Sequence, residues 1–299
     1  MLSISRVRKN AQALAVATCT TLMLASTPAW AQDAAAADPN PGALTITGSL
    51  DFLNQYMFRG IQQNNTGFAT WPAFDLGLAA YSGDGGLKSA SINFGTWNSL
   101  HSGNTGSDGP SGKLWYESDF YATLGLGFGG GTSFSTTYTA YTSPNSGFTT
   151  VKEIMFKFAL DDSGKLGKAA VKPYIAIAQE FDTDIATGQA DGGANAGTYM
   201  EIGFAPGYYG ISKASIAFPI KIGMSLSDYY ENPLTGEDST FGFFSIAGIV
   251  TAPLGPTTSF GAWNIHGGVE YQALGDTTEF FNGGESNQVI WSIGLGFSY

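Results

Sequence analysis

Cysteine is nearly absent, since the 299-residue chain has only Cys19. The segment around it has the features of a secretion signal: three basic residues among the first nine, an apolar stretch from Ala11 to Leu24, and the cleavage site Ala29-Trp30-Ala31. We expect residues 1–31 to be removed as a signal peptide, and Cys19 with them. The mature chain then lacks a disulfide, a thiolate nucleophile and a thiolate metal site.

Long apolar runs and basic residues are also scarce. Beyond the signal, no stretch approaches the roughly eighteen consecutive apolar residues that a transmembrane helix needs. Lys and Arg number 13 against 24 Asp and Glu, which gives a formal net charge of −11. A chain this acidic is a poor partner for nucleic acid. Only two histidines, His101 and His266, are available for proton transfer.

What the chain does have is alternation of large apolar residues with small or polar ones. It is clearest near the C-terminus, at Trp291, Ile293, Leu295, Phe297 and Tyr299. A strand of about ten residues with one apolar and one polar face is the unit of a transmembrane β-barrel. We predict that these five residues form a C-terminal signal for the barrel assembly machinery. A strand of a secreted soluble β-protein is the alternative.

The same alternation recurs in about twelve segments. The first predicted strand starts at Leu44 and continues outward-facing through Tyr56 and Phe58, while the segment Phe241–Thr251 is apolar on both faces. Links between the segments are alternately long and polar or short. Long outer loops and short periplasmic turns are typical of outer-membrane barrels with both termini in the periplasm.

Four residues test the register of these segments. Strict alternation predicts that Tyr116 faces lipid and that Trp115 faces the interior. Lys152 and Pro173 fall on predicted lipid-facing lines. We expect Lys152 at the rim, where its charge can reach water. Pro173 should lie near a strand end or bulge, because proline removes a hydrogen-bond donor from the ladder.

These observations predict an all-β fold, a closed antiparallel transmembrane β-barrel of about twelve strands over residues 43–299. Residues 32–42 form a short periplasmic lead. Closure is required because an unpaired backbone group in lipid costs several kcal/mol, so a sheet edge cannot stand in a bilayer. The expected location is the Gram-negative outer membrane, in contact with lipid and lipopolysaccharide.

Four short motifs in the first third of the mature chain carry a resemblance. They are Tyr56-Met57-Phe58-Arg59-Gly60-Ile61, Pro72-Ala73-Phe74-Asp75, Gly95-Thr96-Trp97-Asn98-Ser99 and Glu117-Ser118-Asp119-Phe120-Tyr121. Together they resemble the TorF family of porins. The resemblance implies an outer-membrane channel and no particular substrate.

The alternation also predicts which charged residues face the barrel interior. The predicted pore-lining residues are Asp51, Arg59, Asp75, Glu117, Asp119, Lys157, Lys221, His266 and Glu270. On the full inward set acids outnumber bases, so we expect weak cation preference in a channel for small hydrophilic solutes. An internal salt-bridge network that plugs a narrow barrel is the open alternative, with Arg59 paired to Asp75 or Glu117.

Other functions have weaker support in the sequence. A barrel can carry a hydrolase active site. His101 is a candidate base, because it lies beside Ser99 and Ser102 in a predicted outer loop. Residues so close in sequence are not expected to supply the geometry of a catalytic triad. Asp182, Asp184 and Asp191 could bind calcium in an outer loop, yet no complete calcium motif surrounds them. We therefore predict no catalytic residues, no metal site and no cofactor. A non-conducting structural or adhesive barrel is the second alternative.

Overall fold

The computed structural model describes residues 40, 42–102, 114–181, 195–208 and 214–299. The predicted signal peptide, most of the predicted lead and the acidic loop from Asp182 to Asp191 lie outside these residues. Within the described residues, none of the helices has the length and apolarity to cross a membrane.

The described residues fold mainly into antiparallel strands. Two short α-helices of the described residues, α1 (Ser163–Leu166) and α2 (Asp276–Phe281), lie in connections between strands. In chain order the strands are β1 (Leu44–Leu53), β2 (Tyr56–Phe58), β3 (Ile61–Asn64), β4 (Ala69–Ser82), β5 (Leu87–His101), β6 (Trp115–Phe128), β7 (Thr132–Thr142), β8 (Val151–Leu160), β9 (Tyr174–Phe181), β10 (Thr198–Phe204), β11 (Gly207–Tyr208), β12 (Ser215–Ala217), β13 (Ile220–Ser227), β14 (Phe241–Pro253), β15 (Ala262–Leu274) and β16 (Asn287–Ser298).

Twelve wall strands close on themselves, which confirms the predicted fold class. Each pairs with its sequence neighbour in the wall, and β16 pairs with β1 from Leu53 opposite Ser292 to Thr47 opposite Ser298. Short β12 and β13 both pair with β14, so they form one wall strand that is interrupted at Pro219. An interruption is expected there, because proline has no N–H to donate to the ladder. The first and last wall strands are thus joined, as lipid requires.

The outer surface of the wall is an apolar belt. Phe94, Phe158, Val269 and Trp291 are all more than half exposed, although each lies within a regular strand of the wall. The residues next to them along the strands point inward and are mostly small, polar or charged, with the buried Ile290 as an apolar exception. An apolar outer surface of this kind is stable in contact with lipid and unfavourable in contact with water. The predicted assembly-signal residues belong to this belt on β16, where Ile293 is 50 % exposed.

A charge on this belt tests the orientation of the wall. We expect Ile293→Arg to lower the free energy of unfolding by about 2–4 kcal/mol, since arginine near the bilayer midplane carries that penalty. The matched control is Leu44→Arg at the first residue of β1, where the expected loss is about 0–1 kcal/mol near the interface. Urea titration of the refolded protein in lipid vesicles measures both. Equal losses at the two positions would contradict the outward assignment.

Two sequence predictions about the wall are wrong at one of its rims, the end where β1 stops and β4 begins, which we call the hairpin end. The first strand does not continue through Tyr56 and Phe58, because β1 ends at Leu53. The predicted faces of Trp115 and Tyr116 are also exchanged, since Tyr116 is buried and Trp115 is 42 % exposed. The physical reason is a register shift in the β5–β6 pairing, where Ser99 opposes Glu117 but Leu100 opposes Trp115.

The strand that is apolar on both faces has a similar explanation. In β14, Phe241 and Ile246 face outward, whereas Phe243 is 1 % exposed and faces the interior. The β13–β14 pairing shifts between Gly223 and Met224, so Gly242 is the extra residue of a bulge. An inward phenylalanine implies an apolar partner inside the barrel.

Candidate functional site

A hairpin fills the barrel interior at the hairpin end. After Leu53 the chain leaves the wall, forms β2 and β3 as a separate two-stranded sheet, and rejoins the wall at Ala69. Leu53 and Ala69 are direct cross-strand partners, so the segment between them leaves and rejoins the wall at one point of the rim. We call residues 54–68 the plug hairpin.

Aromatic packing holds the plug hairpin against the wall. The ring of Tyr56 lies 5.2 Å from that of Trp71 and 5.4 Å from that of Trp97, and Phe58 lies 5.6 Å from Tyr141. Tyr56 and Trp97 are at most 2 % exposed. Pairs of aromatic rings at these separations add about 0.5–1.5 kcal/mol each beyond the area they bury. The interior at this end is therefore a packed core.

The tip of the hairpin is a tight left-handed turn. Arg59 has φ +47° and Gly60 has φ +84°. A Cβ at Gly60 would lie 3.1 Å from the Cβ of Phe243, so glycine permits both the turn and the close approach to β14. Arg59 accepts the less favourable conformation because its side chain is fixed on the far side of the lumen.

Arg59 occupies a seat built from one carboxylate and several rings. Its guanidinium donates two parallel hydrogen bonds to Glu153 on β8, Nη1 to Oε2 at 2.6 Å and Nη2 to Oε1 at 2.9 Å. Nη1 also donates to the Tyr229 hydroxyl at 2.8 Å. The guanidinium carbon lies 4.2 Å from the ring centre of Tyr199 and 4.9 Å from that of Phe58. We call Glu153, Tyr199, Tyr229 and Phe58 the guanidinium seat.

The backbone of the tip is anchored as well. The Tyr230 hydroxyl donates to the Arg59 carbonyl oxygen at 2.8 Å. Asn282, which follows α2, donates from Nδ2 to the Gly60 carbonyl at 2.7 Å and accepts from the Gln62 N–H at 2.8 Å. Contacts from separate parts of the chain thus fix one turn of the plug hairpin.

Electrostatics favour a charged guanidinium in this seat. Burial lowers the pKa of Arg59, but the Glu153 carboxylate and the neighbouring Tyr229 and Tyr141 together outweigh burial, so the pKa of Arg59 lies well above its ordinary value. The Arg59 and Glu153 side chains are only 8 % and 1 % exposed. The pair is therefore a buried, bidentate ion pair, the kind whose disruption is costly. The expectation that Arg59 pairs with Asp75 or Glu117 is wrong.

The structure places the acidic residues of the predicted pore lining on the inner face of the wall. The side chains of Asp51, Asp75, Glu117, Asp119 and Glu270 are all buried. Glu153, Glu180 and Glu201 join them. On the same face, Lys157 and Lys221 are the lysines of the predicted lining, whereas Arg59 reaches the interior from the plug hairpin and not from the wall. The inner face of the described residues therefore carries more acid than base.

Away from the plug hairpin, the inward charges are paired locally. His266 Nε2 lies 2.6 Å from Asp51 Oδ1. Asn93 donates to Asp75 at 2.7 Å, and Lys221 Nζ lies 4.0 Å from Glu270 Oε1. The Lys157 ammonium lies 4.2 Å from the ring centre of Tyr174, whose hydroxyl donates to Glu201. These contacts join wall strands that are adjacent or separated by a single strand.

Ser99 and His101 form a hydrogen-bonded pair that the sequence did not lead us to expect. His101 is the last residue of β5 and not part of an outer loop, so it lies on the same face as Ser99, two residues earlier. Ser99 Oγ is 2.7 Å from His101 Nε2, and Trp71 donates to Ser99 Oγ at 3.0 Å. Both residues are 0 % exposed, and Tyr116 stacks on the imidazole at 4.7 Å. This packing gives a substrate no access to the serine.

The functional residues that sequence reasoning missed are the aromatic partners of Arg59. Tyr229 lies in a connection between strands, and Tyr199 has the appearance of an ordinary alternating residue. One available signal was the Tyr229-Tyr230 pair within a polar link, because paired aromatics in a loop imply a packing partner.

The buried tyrosines around Arg59 make the plug hairpin sensitive to alkali. Burial raises the pKa of Tyr56, Tyr229 and Tyr230 well above the ordinary tyrosine value of 10.0. Above pH 10 the unfolded chain therefore binds fewer protons than the folded one, and stability falls as pH rises. We expect tyrosinate absorbance from these residues to appear only together with loss of the near-ultraviolet circular dichroism signal. Ionisation near pH 10 with an unchanged signal would contradict their burial.

Comparison with known proteins assigns no family. No family model matches the chain, and no curated protein matches it. The resemblance to the TorF family is therefore unconfirmed. Among solved structures, an outer membrane channel from Pseudomonas putida F1 has a TM-score of 0.47 at 12 % identity, covering 87 % of this chain and 97 % of that one.

Two further solved structures are similar at the same level. The NanC porin has a TM-score of 0.40 at 14 % identity, covering 85 % of this chain and 99 % of that one. The beta domain of the Bordetella autotransporter BrkA has a TM-score of 0.39 at 13 % identity, covering 86 % and 98 %. At these identities and scores the likeness assigns neither family nor function to this chain.

Proposed function

We propose that this protein is an outer-membrane channel for passive diffusion of small hydrophilic solutes, with a weak preference for cations. The observation that carries the proposal is the inner face of the wall, which bears charged and polar side chains along its length behind an apolar outer belt. Fixed carboxylates in excess over lysine and arginine attract cations and repel anions.

The plug hairpin sets the state of this channel. With the guanidinium seat occupied, the hairpin end of the interior is packed, so the resting channel conducts little. Conduction requires the plug hairpin to leave its seat, as a loop hinged at Leu53 and Ala69 can do.

Location and partners belong to the same proposal. The apolar belt faces outer-membrane lipid and lipopolysaccharide, both termini lie in the periplasm, and the barrel assembly machinery engages β16 through the alternating residues from Trp291 to Tyr299. A formal net charge of −11 gives no support for a nucleic-acid partner. The Ser99–His101 pair gives no support for a hydrolase either, because it is buried.

A permanently closed structural or adhesive barrel is the second candidate, and the plug hairpin is the observation that favours it. The Arg59–Glu153 pair and the aromatic contacts stabilise the closed state, and nothing requires it to open if the barrel serves only as a scaffold. Conductance decides between the two candidates.

The test is single-channel recording in a planar bilayer across a potassium chloride gradient. We expect discrete openings whose reversal potential has the sign of cation selectivity. The double variant Asp51→Asn and Asp75→Asn removes two inward carboxylates that are hydrogen-bonded to His266 and Asn93 on the wall, and it should move the reversal potential toward zero. Clear anion selectivity would contradict the charge argument. Silence at every voltage, in the natural chain and in a chain without the plug hairpin, would support the structural barrel instead.

A further inference from the structure

The guanidinium seat has the composition of a ligand-binding site. It combines a fully buried carboxylate in bidentate geometry, a tyrosine hydroxyl at 2.8 Å and ring faces at 4.2 Å and 4.9 Å from the guanidinium carbon. A carboxylate fork matches a planar guanidinium better than a compact ammonium, and aromatic faces add cation–π attraction. Proteins recognise free organic cations with the same elements.

The seat belongs to the wall and its loops, except for Phe58. Glu153 lies on β8, Tyr199 on β10, and Tyr229 in the connection between β13 and β14. Arg59 enters it from a separate two-stranded hairpin that joins the wall at one point of the rim. The occupant and most of the site thus lie on different parts of the fold, so we expect Glu153, Tyr199 and Tyr229 to keep their places when Arg59 is replaced.

We propose that this seat is a binding site for the guanidinium group of an external solute, such as arginine or an arginine-bearing peptide, and that Arg59 is its internal occupant. The proposal rests on the proposed channel function and names a solute class for it. Binding of the solute and docking of the plug hairpin exclude each other. A guanidinium solute therefore binds the undocked state alone and increases its population.

The first test vacates the seat and refills it with a small probe. In Arg59→Ala, methylguanidinium chloride is expected to raise the Tm of the detergent-solubilised protein by about 5–10 °C at a concentration about a hundredfold above Kd. Methylammonium chloride and sodium chloride at equal ionic strength should have much smaller effects. The natural chain, whose seat is filled, should show no rise.

A second variant assigns the rescue to the seat. In Arg59→Ala with Glu153→Gln the bidentate acceptor is lost, so the rise with methylguanidinium should disappear. An equal rise in both variants, or an equal rise with methylammonium, would overturn the proposal. If Arg59→Ala does not fold, a chain in which residues 54–68 are replaced by a tight turn offers the same empty carboxylate, Tyr199 and Tyr229 for the same titration.

In the natural chain, competition between an added solute and the plug hairpin for the seat gives an independent measurement. Arginine amide should increase cleavage of the plug hairpin by an added protease severalfold, while lysine amide at the same concentration should not. Equal cleavage with both would overturn the competition between solute and hairpin. These measurements use no current, so a barrel that never conducts but shows guanidinium rescue refutes the channel and leaves the binding site standing.

Discussion

Removal of the plug hairpin is expected to convert a mostly closed barrel into an open channel. Because Leu53 and Ala69 are cross-strand partners, residues 54–68 can be replaced by a two-residue Asn-Gly turn without changing the register of β1 and β4. The aromatic contacts of Tyr56 and Phe58 and the Arg59 ion pair then disappear together. We expect single-channel conductance to rise severalfold and open probability to approach its maximum.

The control for this deletion is the shortening of another connection at the same rim. Leu234 is 79 % exposed at the tip of the turn between Asn232 and Glu237, so shortening that turn should leave the current as it is in the natural chain. Retention of the closed state after hairpin deletion would mean that other side chains block the interior. An increase of the same size in the control would mean that any loosening of the rim opens the barrel.

Loss of the carboxylate under Arg59 should have the largest effect on stability. We expect Glu153→Ala to lower the free energy of unfolding by about 3–5 kcal/mol, because breaking a buried pair leaves an uncompensated buried charge. Undocking of the plug hairpin exposes Arg59 to water and removes the cost of the buried charge. The loss in free energy of unfolding is therefore no larger than the free energy of docking. Denaturant titration in detergent, followed by tryptophan fluorescence from Trp71 and Trp97, measures it.

A double variant separates the ion pair from general packing. Arg59→Met with Glu153→Leu removes both charges, so it should be less destabilised than Glu153→Ala alone, since a well-packed apolar pair can replace a buried ion pair. Glu270→Gln is the control, because its Lys221 partner is 4.0 Å away and has 28 % of its side chain exposed. A loss at Glu270 equal to that at Glu153 would contradict the special position of Arg59.

The wall could be predicted from the sequence because lipid enforces a strict rule. Every second residue of a lipid-exposed strand must be apolar, so Trp291 to Tyr299 predicts both a strand and its outward face. Charged residues between the apolar ones then mark the inner face, as at Asp51 and Glu117. Lys152 and Pro173, which depart from that rule, lie at strand ends in the structure, as the second residue of β8 and the residue before β9.

The plug hairpin could not be predicted by the same rule. Tyr56 and Phe58 continue the apolar alternation of β1, and alternation is the same whether an apolar face meets lipid or the barrel's own core. The difference depends on partners far along the chain, such as Phe243 and Tyr229, that no local pattern reports.

A bulge caused the other error at the hairpin end. Tyr116 is the extra residue in the pairing of β6 with Ser99 and Leu100. One extra residue shifts the side-chain period by one position, so Trp115 and Tyr116 exchange the faces that strict alternation predicts. Glu117 lies beyond the bulge and keeps its predicted inward face. Alternation alone gives no sign of where such a residue is inserted.

An engineered disulfide between the hairpin tip and the wall tests the closed interior most directly. A Cβ at Gly60 would lie 3.1 Å from that of Phe243, shorter than the roughly 3.5–4.5 Å of a disulfide, and Gly60 has φ +84°, so the tip must shift slightly for the bond to form. The chain's single cysteine is Cys19 in the predicted signal peptide. In Gly60→Cys with Phe243→Cys we expect cross-linking on oxidation, at some cost in strain at the hairpin tip, and a cross-linked channel that stays shut until reductant is added. The control, Gly60→Cys with Ile246→Cys, should not cross-link, because Ile246 faces outward and is 41 % exposed. Two free thiols in the first variant, both open to a maleimide reagent, would contradict a plug hairpin seated inside the barrel.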